Sequence, residues 1–213
     1  DCERHAMDLN SDSGKHLDKD IHFHEQDCSK PWEIVPCSLD LIFSSNFFEH
    51  LPDKEALDQT IGHAMQALKP GGSLLAIGPN IAVLKGRYWD FWDHHVALSD
   101  QSLGELFEIH GLEIKRAISR FLPYNMVRVK KRPLFLVSLY LRLPFLWSIW
   151  GKQFFLAATK PWPFFKDDIS WLSAWYFPWD SPIATFCILT TILREVTKGS
   201  QSLRRTRFFK RGC

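Results

Sequence analysis

The sequence predicts an α/β domain built on an open parallel sheet, and three stretches carry the prediction. Leu39-Asp40-Leu41-Ile42-Phe43 is short and apolar, the pattern of a strand buried on both faces. From Pro52-Asp53 onward, Leu57, Ile61, Ala64, Met65 and Leu68 recur at three- and four-residue intervals. That spacing gives a helix one apolar face, with Asp53 as its N-cap. Lys69-Pro70-Gly71-Gly72 stops the helix, and Ser73-Leu74-Leu75-Ala76-Ile77-Gly78 is a second apolar run. Strand, crossover helix and strand make a right-handed βαβ unit.

The same residues carry a resemblance. LDLIFSSNFFEHLPD, followed by ALKPGGSLLAIGPN, resembles the fourth strand, its helix and the fifth strand of class I S-adenosylmethionine-dependent methyltransferases. Glu49-His50-Leu51 after the first strand and Lys69-Pro70-Gly71-Gly72 before the second are its most specific parts. The resemblance covers about residues 5 to 160. It implies a Rossmann-like methyltransferase sheet, mostly parallel with an antiparallel last strand, and S-adenosylmethionine as cofactor. The βαβ pattern alone would say only "open sheet", which many chemistries share. A dehydrogenase would share a ribose-binding acid but neither of these two motifs.

Composition sets the outer bounds. The 213 residues suit one domain with an appendage, and 46% hydrophobic content is enough for a substantial core. A net charge of +2 is too small to argue for a nucleic-acid partner. Cys2, Cys28, Cys37, Cys187 and Cys213 show no CxxC spacing, which favours reduced thiols in a cytoplasmic protein over disulfides or a zinc site. No signal peptide is read, and the chain does not begin with Met, so a preceding segment is expected.

In chain order, Arg4 to Asn10 reads as a short strand ending in an acid. The resemblance places Asp8 on the ribose hydroxyls of the cofactor; alone it would read as a turn aspartate. Ser11 to Leu17 is a short helix or turn, and Ile21-His22-Phe23-His24 is the next strand. After it, the resemblance sets Asp27 against the adenine amino group and the Cys28 amide against a ring nitrogen. A loop aspartate and a small buried thiol are the plainer readings. His22 and His24 share one strand face but lack a third ligand at suitable spacing, so solvent-facing histidines and no metal are expected. Trp32 either covers the adenine or fills the underside of the loop. Ser44-Ser45-Asn46 is polar where its strand ends, and Ser44 and Asn46 are further cofactor-binding candidates.

One expected feature is missing. In the resembling family a first strand and its glycine-rich turn precede the ribose acid by about twenty residues, and the strand lies centrally between the second and fourth. Here seven residues precede Asp8, none of them glycine. Such a turn lets backbone amides approach the methionine part of the cofactor, because glycine has no Cβ. The chain is therefore expected to be a fragment of a longer enzyme with its first strand missing, with a degenerate domain as the alternative, and to bind the cofactor poorly. A gap is expected between the Asp8 and Leu39 strands, closed by direct pairing or by the apolar run from Pro133.

After Asn80 comes an aromatic loop, Lys85 to His95, in the position that shapes the acceptor pocket of the resembling methyltransferases. Tyr88 and Trp89 are substrate-contact candidates. Methyl transfer needs alignment, desolvation and, for hydroxyl or amine acceptors, proton removal, for which His94, His95 and His50 are the candidate bases. Local structural roles for these histidines are the alternative. Ser99 caps a further helix with Leu103, Leu106 and Phe107 on one face; His110-Gly111 ends it, and a strand begins at Leu112. In Ser119 to Tyr124, Arg120 and Tyr124 are candidate substrate contacts on the acceptor side.

Arg128, Lys130, Lys131 and Arg132 then precede an apolar run, Pro133 to Trp150. Arg142 and Pro144 interrupt that run, so a helical hairpin or amphipathic lid is expected instead of a membrane span. Gly151 to Lys160 reads as the closing antiparallel strand of the resemblance. Residues 161–213, rich in Trp and ending in basic residues, remain an unassigned extension beyond a methyltransferase-like domain at 1–160. The reading is methyl transfer to a small-molecule, glycan or lipid-linked acceptor, with peripheral membrane contact through 133–150 and the basic C-terminus. The competing reading is a non-catalytic, membrane-peripheral interaction module that keeps the fold remnant.

Overall fold

The computed structural model describes residues 2–124, 133–162 and 205–211. Seven strands form one sheet: β1 (Cys2–Asp8), β2 (Ile21–Glu25), β3 (Leu39–Ser45), β4 (Leu68–Pro79), β5 (Glu113–Leu122), β6 (Gln153–Thr159) and β7 (Arg205–Arg211). Their order is β2-β1-β7-β3-β4-β6-β5. β1 pairs parallel to β2 and β3 parallel to β4, while β6 runs antiparallel between β4 and β5. β7 runs antiparallel to both β1 and β3. Strands β1 to β5 therefore all point one way, and only β6 and β7 oppose them. The mostly parallel sheet with an antiparallel closing strand is present as expected.

The expected gap is closed differently from either route the sequence suggested. β1 and β3 do not pair with each other, and the Pro133 run does not cover the space. β7 lies between them, with His5 opposite Phe208 and Ile42 opposite the same residue on the other side. Six residues of β1 and five of β3 find partners along it. Backbone donors and acceptors buried at a bare edge cost roughly 1–3 kcal/mol each, so filling this slot is a large stabilising term. Sequence reading missed it because Arg-Thr-Arg-Phe-Phe-Lys-Arg carries no apolar alternation that would mark a central strand.

Helix α1 (Lys54–Ala67) starts at its expected cap, where the Ala56 amide donates to Asp53 Oδ1 at 2.8 Å. It buries Ala56, Leu57, Ile61, Ala64 and Ala67 against the sheet. The Lys69-Pro70-Gly71-Gly72 stretch does not separate helix from strand. β4 begins at once with Leu68 opposite Leu39, then shifts register so that Ser73 faces Leu41. Gly71 sits at φ +79°, and a Cβ on Gly72 would lie 2.9 Å from the Lys69 carbonyl oxygen, so both positions need glycine. Lys69 closes the shift from the side, its Nζ lying 2.9 Å from Asp40 Oδ2.

A short turn of helix, α2 (Ile81–Leu84), and α3 (Asp100–Ile109) follow, the latter with Ser99 and Ser102 in a reciprocal capping box. Leu57, Ile61, Leu103 and Phe107 pack with Leu39, Ile42, Leu74, Leu156 and Ala158 on one face of the sheet. The opposite face carries Phe43, Ile77 and Phe155, the period-two complement of the same strands. Two short helices cover part of it, α4 (Leu134–Arg142) and α5 (Pro144–Trp150), broken at Pro144 as the sequence suggested. Tyr140 donates to the Phe121 carbonyl at 2.7 Å, and Trp147 stands edge-on to Phe121. No helix among the described residues is long and apolar enough to cross a membrane.

Candidate active site

The carboxyl ends of β1, β2, β3 and β4 lie at one edge of the sheet, the edge where open α/β sheets bind ligands. Asp8 is the last residue of β1. Its Oδ1 accepts the Asn10 amide at 2.9 Å and its Oδ2 the Ser13 hydroxyl at 2.8 Å, which fix the carboxylate at the start of the following turn. Each oxygen keeps a second lone pair for another donor. Asp27 lies two residues beyond β2, and its Oδ1 accepts both the amide and the hydroxyl of Ser29, at 2.9 and 2.8 Å. Oδ2 takes no part in either bond. Two oriented carboxylates thus stand beyond adjacent parallel strands, joined by the Gln26 amide donating to the Asp8 carbonyl at 3.2 Å.

Cys28 turns its thiol away from this edge. It is buried, accepts a 3.4 Å bond from the Thr60 hydroxyl of α1, and burial pushes its pKa up from 9.0 to about 11. Its carbonyl accepts Trp32 Nε1 at 2.7 Å, which places Trp32 on the core beneath the loop. Ser44, next to last in β3, is only 1% exposed, and its backbone pairs with β4 on one side and β7 on the other. Asn46 lies at the crevice, in the left-handed region at φ 48°, with its side chain bonded to Ser45 and Gln153.

A second group gathers where the loop after β3 meets the loop after α2. The His95 and Val96 amides donate to the Glu49 carbonyl at 2.8 and 3.2 Å, tying the two loops together. Around this tie stand Glu49, His50, Asp93 and His94. Glu49 is 2% exposed and its Oε1 lies 3.8 Å from His50 Nε2. His50 Nδ1 is 2.8 Å from the Asp93 carbonyl oxygen. The His94 ring stacks on Phe91 with centroids 5.2 Å apart and meets the rings of Tyr88 and His50 at 4.8 and 5.0 Å. Tyr124 reaches the same group through Phe91, 5.6 Å away. Burial raises its phenol pKa, and the charges of Glu49, Asp93 and Asp90 push the same way.

His50, His94 and Tyr124, read from distant parts of the sequence, are therefore brought together. His95 faces outward and enters only through its backbone. Tyr88 is fully buried, donates to the Val96 carbonyl at 2.6 Å and accepts the Leu98 amide at 3.2 Å. Both roles of its hydroxyl serve the loop itself. Arg120 is exposed and donates to the Ser148 carbonyl near the end of α5. Trp89 is half exposed on the outer side of the loop.

From sequence, Glu49 enters only as part of the Glu49-His50-Leu51 motif and Asp93 only as a partner stabilising the histidine loop, and neither is a candidate site residue. Asn80 was missed as well. It is buried, and Nδ2 bonds to Asp100 and to the Ser119 carbonyl at 2.7 and 2.9 Å, joining β4, α3 and β5 beneath the site. On β1 and β2, His24 does not simply face solvent. His5 Nδ1 lies 3.0 Å from its Nε2, and burial lowers the His24 pKa.

No protein-family profile and no curated protein matches the chain. Solved structures do. A SAM-dependent methyltransferase from Archaeoglobus fulgidus superposes with a TM-score of 0.54 at 15% identity, over 73% of this chain and 75% of that one. A putative methyltransferase from Haloferax volcanii, solved with the Trm112 activator, superposes at 0.53 with 14% identity, over 74% and 72%. From the mostly parallel sheet and these likenesses, the conclusion is that this chain has the Rossmann-like fold of the class I SAM-dependent methyltransferases.

Proposed function

We propose that the chain binds S-adenosylmethionine and serves methyl transfer to a small-molecule, glycan or lipid-linked acceptor. The observation that carries this reading is the pair of oriented carboxylates, Asp8 and Asp27, beyond adjacent parallel strands. Two hydrogen-bonded acids at that spacing suit the ribose hydroxyls and the adenine amino group of a nucleoside. The Cys28 amide stands beside Asp27, with the thiol itself spent on the core. The fit is to the nucleoside half. On the methionine side, β7 enters the sheet at the crevice end with Arg205 opposite Ser45, in place of a strand leaving through a glycine turn.

Bound there, the cofactor supplies an electrophilic methyl group on a sulfonium. The chain's part is to hold the acceptor in line, exclude water and take up a proton. Glu49, His50, His94 and Tyr124 are the polar groups that converge beyond β3 and β4, and they form the acceptor side. The apolar outer face of α4 and α5, with Phe135, Phe145 and Trp150 exposed, follows a basic run in sequence. That combination supports a peripheral contact with an anionic lipid surface and a cytoplasmic, membrane-adjacent setting.

Calorimetric titration of the chain with S-adenosylmethionine tests the reading. Anchoring through the nucleoside half alone predicts saturable but weak binding, with Kd on the order of 0.1–1 mM. Absence of saturation in that range, from a chain shown to be folded by circular dichroism, would overturn it.

A further inference from the structure

We infer that Glu49, His50 and His94 form a divalent-metal site of zinc type. One ligand atom from each of the three lies within 4.8 Å of the other two. A single zinc ion with ligands near 2.0–2.1 Å in tetrahedral array sets them about 3.3 Å apart. The Glu49 Oε1 to His50 Nε2 distance of 3.8 Å is about half an ångström from that value. Binding would draw the ligand atoms, all within 4.8 Å of one another, inward toward that spacing.

The protonation pattern favours a metal. A main-chain carbonyl can only accept, so the 2.8 Å contact from His50 Nδ1 to the Asp93 carbonyl places the proton on Nδ1. Nε2 then presents its lone pair toward Glu49. Ligating histidines characteristically donate their second ring nitrogen to a carbonyl or carboxylate in this way, which fixes tautomer and ring direction. His94 is held by its stack on Phe91 and its edge contacts with Tyr88 and His50. Two further bonds, from the His95 and Val96 amides to the Glu49 carbonyl, clamp the ligand-bearing loops together. The site is therefore preorganised from two distant segments of chain.

The donor set names the ion class. Two imidazoles and one carboxylate suit zinc, cobalt(II) and related borderline ions better than magnesium or calcium, which prefer all-oxygen shells. Three protein ligands leave a position open, the arrangement of a catalytic site and not a structural one. The use of that position rests on the methyl-transfer reading above. An acceptor hydroxyl entering it would lose its proton to solvent at lower pH. Its oxygen would then bond to the methyl carbon as the carbon–sulfur bond breaks, with that electron pair staying on sulfur.

The test is titration of the chelator-treated full chain with cobalt(II) and zinc, by visible absorption and calorimetry, beside a separate S-adenosylmethionine titration. The expected result is one equivalent of cobalt with ligand-field absorption in the visible, displaced by zinc. Glu49→Gln and His50→Gln should each weaken metal binding at least tenfold while circular dichroism stays unchanged. His22→Ala, in the separate β1–β2 histidine group, should leave it intact. Stoichiometric binding that survives both Glu49→Gln and His50→Gln, binding lost instead in His22→Ala, or no binding at all overturns the site. Cofactor binding without metal binding would overturn this inference alone, and metal binding without cofactor binding would overturn only the methyl-transfer reading.

Discussion

His50 Nδ1 meets the main-chain carbonyl of Asp93 at 2.8 Å, a bond that spans 43 residues of sequence. It aims the other ring nitrogen at Glu49 and joins the loop after β3 to the loop after α2. The Glu49, His50 and His94 group is set by this bond and by the two amides that return to the Glu49 carbonyl. In the proposed function, cofactor and acceptor roles are assigned to different parts of the crevice edge, so mutation should separate them.

Glu49→Gln and His50→Gln should slow methyl transfer by on the order of 10²-fold and leave S-adenosylmethionine affinity nearly intact. His95→Ala should have little effect, since only its backbone engages Glu49. Single-turnover rates with the acceptor saturating would separate these outcomes. Equal losses in all three variants would show that the loop acts as a unit without a defined polar centre.

Asp8→Ala should weaken cofactor binding several-fold or more, because a ribose hydroxyl loses an acceptor worth about 1 kcal/mol or somewhat more. It should also lower stability, since the Asn10 amide and Ser13 hydroxyl lose their partner. Asp27→Ala should behave alike in binding. Calorimetry paired with urea unfolding distinguishes the two effects, and unchanged affinity in both variants would remove these residues from the cofactor site.

Deleting residues 205–213 should expose the inner edges of β1 and β3. Several backbone groups would then lose partners at roughly 1–3 kcal/mol each, against a typical domain stability of about 5–15 kcal/mol. Hydrogen exchange at Leu41 to Phe43 should accelerate sharply, and the melting temperature should fall. Unchanged protection of those amides would mean that β7 contributes nothing to the sheet.

Cys28 sets a pH dependence. Its folded pKa of about 11 lies above the ordinary 9.0, because burial disfavours the thiolate. The contribution is fully present below about pH 9 and is lost as the pH rises toward 11, since the unfolded chain then releases a proton that the folded chain retains. Urea midpoints for the wild type and Cys28→Ala should therefore converge across that window. Iodoacetamide at pH 8 should label Cys37, which is exposed, well before Cys28.

Phe145→Glu combined with Trp150→Glu should abolish sedimentation with phosphatidylserine vesicles while leaving the fold intact, because both side chains are more than half exposed. Failure of the unaltered chain to sediment with such vesicles would remove the membrane contact.

The antiparallel direction of β6 came from the family resemblance, while the sequence by itself determined the βαβ unit, the Asp53 and Ser99 caps and the break at Pro144. Each is written locally, in apolar periodicity, in a side chain that reaches its own backbone, or in a ring that cannot continue a helix. The positions of Asp8, at the end of β1, and Asp27, two residues past β2, were also legible, while the cofactor role given to them came from the family resemblance and stands as a proposal. Tertiary structure alone decided the rest. Whether Tyr88 faced substrate or the loop depended on the Val96 carbonyl and Leu98 amide, eight and ten residues away. The Glu49–His50–Asp93–His94 group exists only because two loops far apart in sequence share one end of the sheet. β7 fills the central slot through backbone bonding, which carries no side-chain signature, so the strand order could be read only once the chain had folded.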